Sequence, residues 1–226
     1  MIELSRVGKV FRNGMVETTA LADLDLTIHA GDFVAVMGPS GCGKSTLLAL
    51  LGLIERPTSG RYVLNGEDVS ATPERVAAMR RRDLVGMIFQ QYNLIDELTV
   101  AQNIELALRY RSLPEAERRT RVDEAMDRVA IAHRAKHYPG QLSGGQQQRA
   151  AIARAIVGQP KLILADEPTG NLDSASGTQI VDILKGLNAQ GATLIMATHS
   201  QMQADQARHV VHMLDGRIVS AVAKAR

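Results

Sequence analysis

The stretch GPSGCGKST, residues 38–46, stands between two apolar runs, FVAVM and LLALLGLI. It meets the pattern G-x-x-x-x-G-K-[ST] through Gly38, Gly43, Lys44 and Ser45, in the context of a strand, a loop and a helix. In such a loop the backbone N–H groups converge on phosphate oxygens, and the start of the following helix adds partial positive charge. We therefore predict a nucleoside triphosphate site in which Lys44 reaches the outer phosphates and the Ser45 hydroxyl binds Mg²⁺.

Composition and charge restrict the class of protein. The 226 residues are 45% hydrophobic and 22% charged, which is enough chain to bury a substantial core. The formal net charge is only +2, so we expect no nucleic acid partner. No apolar run approaches the roughly 18 residues that span a bilayer, and the N-terminus lacks the apolar segment of a signal peptide. With one cysteine, Cys42, and hence no internal disulfide, the sequence predicts a cytoplasmic protein.

The sequence pattern changes twice along the chain, and we interpret the three regions as parts of one domain, residues 1–226. Short β-rich runs in residues 2–36, with RYVLNGEDV after the first helix, predict an antiparallel sheet. Helical periods in approximately residues 95–157 predict an inserted helical subdomain. The compact apolar runs KLILADE and ATLIMATH are typical of strands covered on both faces. The predicted fold is therefore α/β, with a mainly parallel core sheet.

The stretch LILADEPTG places two adjacent carboxylates, Asp166 and Glu167, at the end of an apolar run. Open α/β sheets bind ligands at the carboxyl ends of their strands. Adjacent side chains diverge there, so Asp166 is expected in the Mg²⁺ shell, while Glu167 deprotonates the water that attacks the γ-phosphate. Gln90 and His199 each follow another strand-like run, so we expect both near the γ-phosphate.

A second glycine-rich helix start follows at LSGGQQQR, residues 142–149. Ser143, Gly144 and Gly145 offer bare N–H groups and a hydroxyl donor, which predicts a second anion site. Ser143 can also serve simply as the N-cap of the helix, although capping does not require two successive glycines.

In their order along the chain, GPSGCGKST, Gln90, LSGGQ, LILADEP, NLD and His199 resemble the motifs of the ATP-binding subunit of an ABC transporter. The resemblance covers essentially the whole chain. It implies a P-loop NTPase fold of the ABC type and a head-to-tail homodimer around two Mg-ATP, each held by one chain's phosphate loop and covered by the other chain's LSGGQ. The residues that it implies around ATP are Phe11, Gly38, Pro39, Ser40, Gly41, Cys42, Gly43, Lys44, Ser45, Thr46, Ser143, Gly144, Gly145, Gln146 and Asp173.

The resemblance also implies roles for individual side chains. Phe11 holds the position that stacks on adenine, where tyrosine is more usual, and Asp173 orders the dimer seam. Glu167, His199 and Gln90 are implied as the catalytic residues, with His199 bonded to the γ-phosphate. Gln90 is also implied to contact Mg²⁺ or the attacking water and to sense a membrane partner. The implied metal ligands are Ser45, Gln90 and Asp166.

The stretches RPTSG, FQQYNLIDELTVAQNIEL and DEPTGNLD narrow the resemblance to the MacB, LolD and FtsE group. That group implies an integral membrane, permease-like partner and a peripheral position on the cytoplasmic face of the inner membrane. Asp96 and Glu97 depart from the group, which commonly has proline first, so partner specificity is expected to differ. A regulator with the same ATPase site and no transporter stays open as the alternative. A chromosome-maintenance or translation factor would need longer insertions or a second ATPase domain.

Overall fold

The computed structural model describes the backbone of residues 1–14 and 16–223, so residue 15 and residues 224–226 of the predicted domain lie outside the described residues. The strands are β1 (Ile2–Asn13), β2 (Val16–Ile28), β3 (Phe33–Met37), β4 (Ser59–Leu64), β5 (Glu67–Asp68), β6 (Val85–Ile88), β7 (Leu162–Asp166), β8 (Thr193–Ala197), β9 (His209–Leu214) and β10 (Arg217–Ala223). The helices are α1 (Lys44–Leu51), α2 (Glu74–Leu84), α3 (Val100–Glu105), α4 (Glu115–Arg128), α5 (Gly144–Ile156), α6 (Ser174–Ala189) and α7 (Gln201–Ala204).

The first sheet has the strand order β2-β1-β4-β5, and its pairings are antiparallel, as predicted. The predicted region of residues 2–36 extends too far, because the contribution of this segment to the antiparallel sheet ends at Ile28. All five residues of Phe33–Met37 are buried, which suits a strand covered on both faces, and this strand belongs to the second sheet.

The second sheet has the order β10-β9-β3-β8-β7-β6. The five strands from β9 to β6 are parallel, and only β10 joins the edge antiparallel. Strands β3 and β8 are fully buried, and β7 is buried up to its last residue, Asp166. The prediction of a mainly parallel core sheet is therefore confirmed.

Side chains alternate between the two faces of this sheet and form two separate cores. On one face, Val34 and Val36 pack with Leu162 and Leu164, with α1 and with the antiparallel sheet. On the other face, residues such as Phe33 pack with α6 and with the helices of the region predicted as an insertion. In that region α3, α4 and α5 also contact one another. The helical region thus shares a hydrophobic core with the sheet that it covers.

A buried tyrosine ties the antiparallel sheet to the helix that follows the phosphate loop. The hydroxyl of Tyr62 on β4 donates to the carbonyl of Leu51 at the end of α1, at 2.8 Å. Burial of this phenol raises the pKa of Tyr62 far above its ordinary value, so the group remains a neutral donor. The bond holds the far end of α1 in place beneath the glycine-rich loop.

Candidate active site

The candidate site residues lie at the carboxyl ends of four adjacent strands, β3, β8, β7 and β6. Backbone bonds extend the ladder one step past the strand ends. The N–H of Thr198 donates to Val36 O and that of Glu167 donates to Ala197 O, both at 3.0 Å. Because parallel strands end at one edge, the phosphate loop, His199, Glu167 and Gln90 meet there, as the sequence predicted from the strand-like runs before them.

These residues line one cavity of about 660 Å³, within the usual range for small-molecule sites. The phosphate loop forms one wall, and Gln90, Glu167 and His199 form another. Thr18, Thr19 and Ala20 of β2 complete the lining, and nothing in the sequence pattern had marked them. The full lining consists of Thr18, Thr19, Ala20, Ser40, Gly41, Gly43, Lys44, Ser45, Thr46, Gln90, Glu167 and His199.

The phosphate loop has a backbone that favours glycine at two turns. Gly41 has φ 79° and Gly43, the N-cap of α1, has φ 103°. A Cβ at Gly43 would stand 2.6 Å from the backbone oxygen of Ala20. The buried Lys44 folds over the loop, and its ammonium donates to Gly38 O at 2.8 Å and to Pro39 O at 3.1 Å. An ammonium held by two neutral carbonyls keeps its charge available for phosphate oxygens.

Cys42 points away from the cavity. Its thiol is buried in the core beneath the loop, and a Cβ on Gly38 would come within 2.6 Å of its sulfur. The carbonyl of Cys42 accepts from the N–H of Gly216, in the turn between β9 and β10, at 3.0 Å. Cys42 therefore does not line the cavity, and its side chain fills space in the core beneath the loop.

Glu167 and His199 form a direct pair. His199 Nδ1 lies 2.8 Å from Glu167 Oε2, and because an ionised carboxylate only accepts hydrogen bonds, the imidazole is the donor. The Glu167 side chain is mostly covered, whereas the His199 ring is largely exposed. Glu167 also has φ 46°, a left-handed conformation that costs a non-glycine residue about 1–3 kcal/mol. The strain turns the carboxylate out of the strand direction and into the cavity.

One carboxylate oxygen of Asp166 lacks a partner among the described residues, as expected of an oxygen that binds a cation. Its Oδ1 is buried and makes no hydrogen bond in the structure, which is an unfavourable state for a carboxylate oxygen. The Ser45 side chain lies in the same cavity region as the phosphate loop. Among residues 1–14 and 16–223, no group of three or more His, Cys, Asp or Glu side chains forms a metal cage. Mg²⁺ commonly binds through one or two carboxylates and completes its shell with substrate phosphates and water, so the donor set fits this ion.

Gln90 is held by Asn171, which the sequence had singled out only as part of NLD. The Gln90 amide donates to Asn171 Oδ1 at 3.1 Å, and the Asn171 amide donates to the carbonyl of Gln90 at 3.0 Å. The two bonds fix both the backbone and the side chain of Gln90. The loop after β6 is thereby attached to the turn that begins with Glu167.

Phe11 lies beside the cavity rather than among its lining residues. It is 40% exposed on β1, and its partner across the β1–β2 ladder is Thr18, which does line the cavity. The Lys9 ammonium lies 4.8 Å from the centre of the ring, in a cation–π contact. The position leaves Phe11 at the rim, next to the wall that β2 contributes.

The LSGGQ residues do not line the phosphate-loop cavity of their own chain. Ser143 caps α5 in a capping box with Gln146, with bonds of 3.3 and 3.1 Å. A Cβ at Gly144 would lie 2.8 Å from the Tyr92 hydroxyl, and one at Gly145 would lie 3.2 Å from Ser176 Oγ. A side chain at either position, which the sequence argument had assigned to anion binding, would therefore require Tyr92 or Ser176 to move.

Asp173 caps α6 within its own chain. Its two carboxylate oxygens accept from the N–H of Ser176 at 2.9 Å and from the Ser176 hydroxyl at 2.7 Å. The hydrogen bond from the Ser176 N–H lowers the pKa of Asp173, and the bond from the hydroxyl lowers it further. Asp173 thus remains ionised at the start of α6, where an anion also complements the helix dipole.

The site combines a glycine-rich phosphate loop, a parallel sheet and two adjacent carboxylates, which define a P-loop nucleoside triphosphatase. The LSGGQ helix start marks the ABC type. The ABC transporter family model matches residues 21–170. The chain belongs to the ABC transporter family. No helix within residues 1–14 and 16–223 combines the length and the apolar character needed to cross a membrane.

Relatives and solved structures match along nearly the whole chain. The ABC transporter ATP-binding protein MJ1508 of Methanocaldococcus jannaschii is 47% identical over 224 residues, which are 99% of this chain and 100% of that protein. The macrolide export ATP-binding/permease protein MacB 1/2 of Paracoccus denitrificans is 47% identical over 97% of this chain, but the match covers only 33% of MacB. The ATP-binding cassette MJ0796, solved as a dimer in a post-hydrolysis state with ADP and Pi, has a TM-score of 0.92 at 38% identity, with 100% of both chains covered.

The close approach of Gly43 to β2 gives a direct test of the phosphate loop. Gly43→Ala combines a left-handed backbone with a contact of 2.6 Å to a backbone oxygen, so the loop must shift, and ATP affinity is expected to fall by about tenfold or more. Gly66→Ala is the matched control, because Gly66 has φ 85° but no neighbour within 4 Å. Equal ATP affinity of the two variants in isothermal titration would contradict the assigned site.

Proposed function

We propose that this chain is the ATP-binding and ATP-hydrolysing subunit of a transporter, that it dimerises around two Mg-ATP, and that it drives a separate membrane subunit. The observation that carries the proposal is the meeting of the phosphate loop, Gln90, Glu167 and His199 around one cavity at the ends of four adjacent strands. The family match and the ADP and Pi held by MJ0796 support ATP as the substrate.

In the proposed site the triphosphate lies along the loop of residues 38–46, whose N–H groups and the N-terminus of α1 hold the phosphates. Lys44 exchanges its two loop carbonyls for phosphate oxygens. Phe11, at the rim, stacks on the adenine with the ring face that Lys9 leaves open. Ser40, Ser45 and Thr46 of the loop also line this cavity.

Glu167 is the proposed general base, since its carboxylate enters the cavity at the end of β7 and can accept a proton from water. His199, already bonded to that carboxylate, keeps it oriented and contacts the γ-phosphate with its exposed edge. Gln90, held in place by Asn171, orients the attacking water. Asp166, Ser45 and Gln90 would hold Mg²⁺, which when bound neutralises charge on the phosphates.

The homodimer is proposed because the LSGGQ residues are absent from the lining of their own chain's cavity. Ser143, Gly144, Gly145 and Gln146 form a helix start whose N–H groups suit an anion, and in a two-fold, head-to-tail dimer they cover the nucleotide of the other chain. Asp173 lies in the turn that connects Glu167 to α6, and it orders the seam between the two chains. The helices of residues 95–157 serve as the subdomain that presents the LSGGQ residues.

A second cavity, of about 460 Å³, is the proposed docking site for a cytoplasmic helix of the membrane subunit. It is lined by Phe89, just before Gln90, and by four arginines, Arg81, Arg82, Arg111 and Arg154. The Nε of Arg111 is buried there without a hydrogen bond. Arg81 and Arg82 already pair with Glu74 and Asp83, whereas the described side-chain bonds of Arg111 and Arg154 go to backbone carbonyls. The charges of Arg111 and Arg154 therefore fit carboxylates on the docking helix.

Contact at the second cavity can reach the ATP site through the loop of residues 90–97. Arg154 donates to the carbonyl of Tyr92 at 2.7 Å and also to that of Asn93. A partner that displaces Arg154 therefore moves the segment that carries Gln90. This connection is the proposed route by which the membrane subunit and ATP hydrolysis affect each other. On this proposal, the chain acts at the cytoplasmic face of the inner membrane as a peripheral subunit of the MacB, LolD and FtsE type.

A regulator that uses the same ATP site without a transporter is the alternative. The match to MacB favours the transporter, because that relative is an ATP-binding/permease protein in which the region similar to this chain makes up about a third of the length. The arginine-lined cavity supports the same choice. The cargo belongs to the partner, since the site residues described here account for nucleotide chemistry alone.

Glu167→Gln should keep ATP affinity but slow hydrolysis by about a hundredfold or more, because the amide cannot accept a proton from water. With hydrolysis blocked, Mg-ATP should convert the variant from monomer to stable dimer in size-exclusion chromatography with light scattering. Asp215→Asn, in the exposed turn between β9 and β10, is the control for loss of a carboxylate. A Glu167→Gln protein that binds Mg-ATP and stays monomeric contradicts the dimer mechanism.

A crosslinking experiment tests the membrane partner. A photo-crosslinking amino acid at Ile95, which is exposed in the loop after β6, should capture an integral membrane protein in membranes from cells that express the chain naturally. The same probe at the exposed Val219 on β10, at the opposite edge of the core sheet, should not capture it. Capture of no membrane protein from Ile95, together with a chain found wholly outside the membrane fraction, would favour the regulator.

A further inference from the structure

Behind the Glu167–His199 pair, a glutamine joins two buried threonine hydroxyls. Thr198 follows the last residue of β8 and immediately precedes His199, and Thr169 lies two residues after Glu167. The two threonines are 1% and 9% exposed, so neither hydroxyl has free access to water. Gln203, on the short helix α7, lies between them.

The bonds of this bridge use both ends of the glutamine amide. The Thr198 hydroxyl donates to Gln203 Oε1 at 2.9 Å, and Gln203 Nε2 donates to Thr169 Oγ1. The Thr198 oxygen in turn accepts from the N–H of Ser200 at 3.1 Å. These bonds therefore hold both sequence neighbours of His199, Thr198 and Ser200, and connect them to the turn that begins with Glu167.

Packing alone does not call for glutamine at this position. Helix α7 is only four residues long and its N-cap side chain makes no capping bond, so side-chain contacts must hold it. An apolar side chain of equal length would fill the half-buried space but leave the Thr198 hydroxyl proton without its acceptor and Thr169 Oγ1 without its donor. An amide with one acceptor and one donor end satisfies a donating and an accepting hydroxyl together.

We propose that Gln203 is a positioning residue for ATP hydrolysis, which locks the His199 loop to the Glu167 turn and thereby sets the geometry of the His199–Glu167 pair. The proposal rests on the ATPase function proposed above. It adds a residue that does not line the phosphate-loop cavity and acts only through Thr198 and Thr169. Because His199 is largely exposed and has one described side-chain bond, to Glu167, its orientation depends on how firmly its loop is held.

The test compares Gln203→Met with Gln206→Met. Methionine keeps the length and fills the space but removes the bridge, so kcat should fall by about tenfold through misplaced catalytic groups, while the KM for Mg-ATP stays within about twofold. The side chain of Gln206, just past the same helix, accepts from Lys185 at 2.9 Å and has no described hydrogen bond to either threonine, so its substitution should leave both constants unchanged. Urea unfolding of each variant verifies that the folded state is compared.

A second variant removes the same bridge from the other end. Thr169→Val is close to isosteric, and it should reproduce the loss of kcat at unchanged KM. Since both substitutions break one connection, the double variant Gln203→Met/Thr169→Val should be no slower than either single variant, within about twofold.

The proposal is overturned if a folded Gln203→Met or Thr169→Val protein keeps the kcat of the Gln206→Met control, or if the two losses multiply in the double variant. A change in KM alone also overturns it, because that result assigns the bridge to nucleotide binding. Failure of the wild-type chain to hydrolyse Mg-ATP is a separate outcome, which contradicts the proposed function rather than the bridge.

Discussion

The turn of residues 167–173, which leaves the central strand β7, holds the site together. At every second position its side chains bond to a different element: the loop after β8, the helix α7, the loop after β6, and the first turn of α6. Backbone bonds from the Gly170 N–H to Glu167 O and from the Leu172 N–H to Thr169 O fold this segment into successive turns, so its side chains leave in different directions. One short turn thereby connects the loops that are proposed to meet the γ-phosphate, and none of them can shift alone.

The same turn explains how strain at Glu167 persists. A left-handed glutamate is held only where the surrounding structure fixes it, and here β7 is buried on both faces while the bonds of the turn fix the segment beyond it. The turn also reaches the LSGGQ helix, since Gly144 packs near Leu172 and Gly145 near Ser176. Residues proposed to face two different nucleotides in the dimer are thus linked inside each chain.

The sequence predicted the parallel sheet and the meeting of four strand ends because both depend on local patterns: buried apolar runs, and polar residues immediately after them. The partners that hold these residues were less predictable. Thr18 on β2 reaches the cavity only through long-range strand register, and Gln203 looks like an ordinary polar residue of a helix until its two threonines are brought together. The predicted end of the antiparallel region at residue 36 was wrong for a similar reason. Phe33–Met37 continues a β-rich region in sequence, but in space it belongs to the other sheet.

The central claim is that each ATP site combines Glu167 of one chain with Ser143 of the other. Mixed dimers of Glu167→Gln and Ser143→Arg test it most directly, because one of their two sites carries both substitutions and the other carries neither. Co-assembled chains should hydrolyse ATP faster than the sum of the separate variants. In parallel, wild type mixed with Ser143→Arg should retain roughly half activity in its mixed dimers, which excludes strict coupling of the sites. Hydrolysis that stays at the sum, with mixed dimers confirmed by native mass spectrometry and the parallel mixture active, would contradict the composite site.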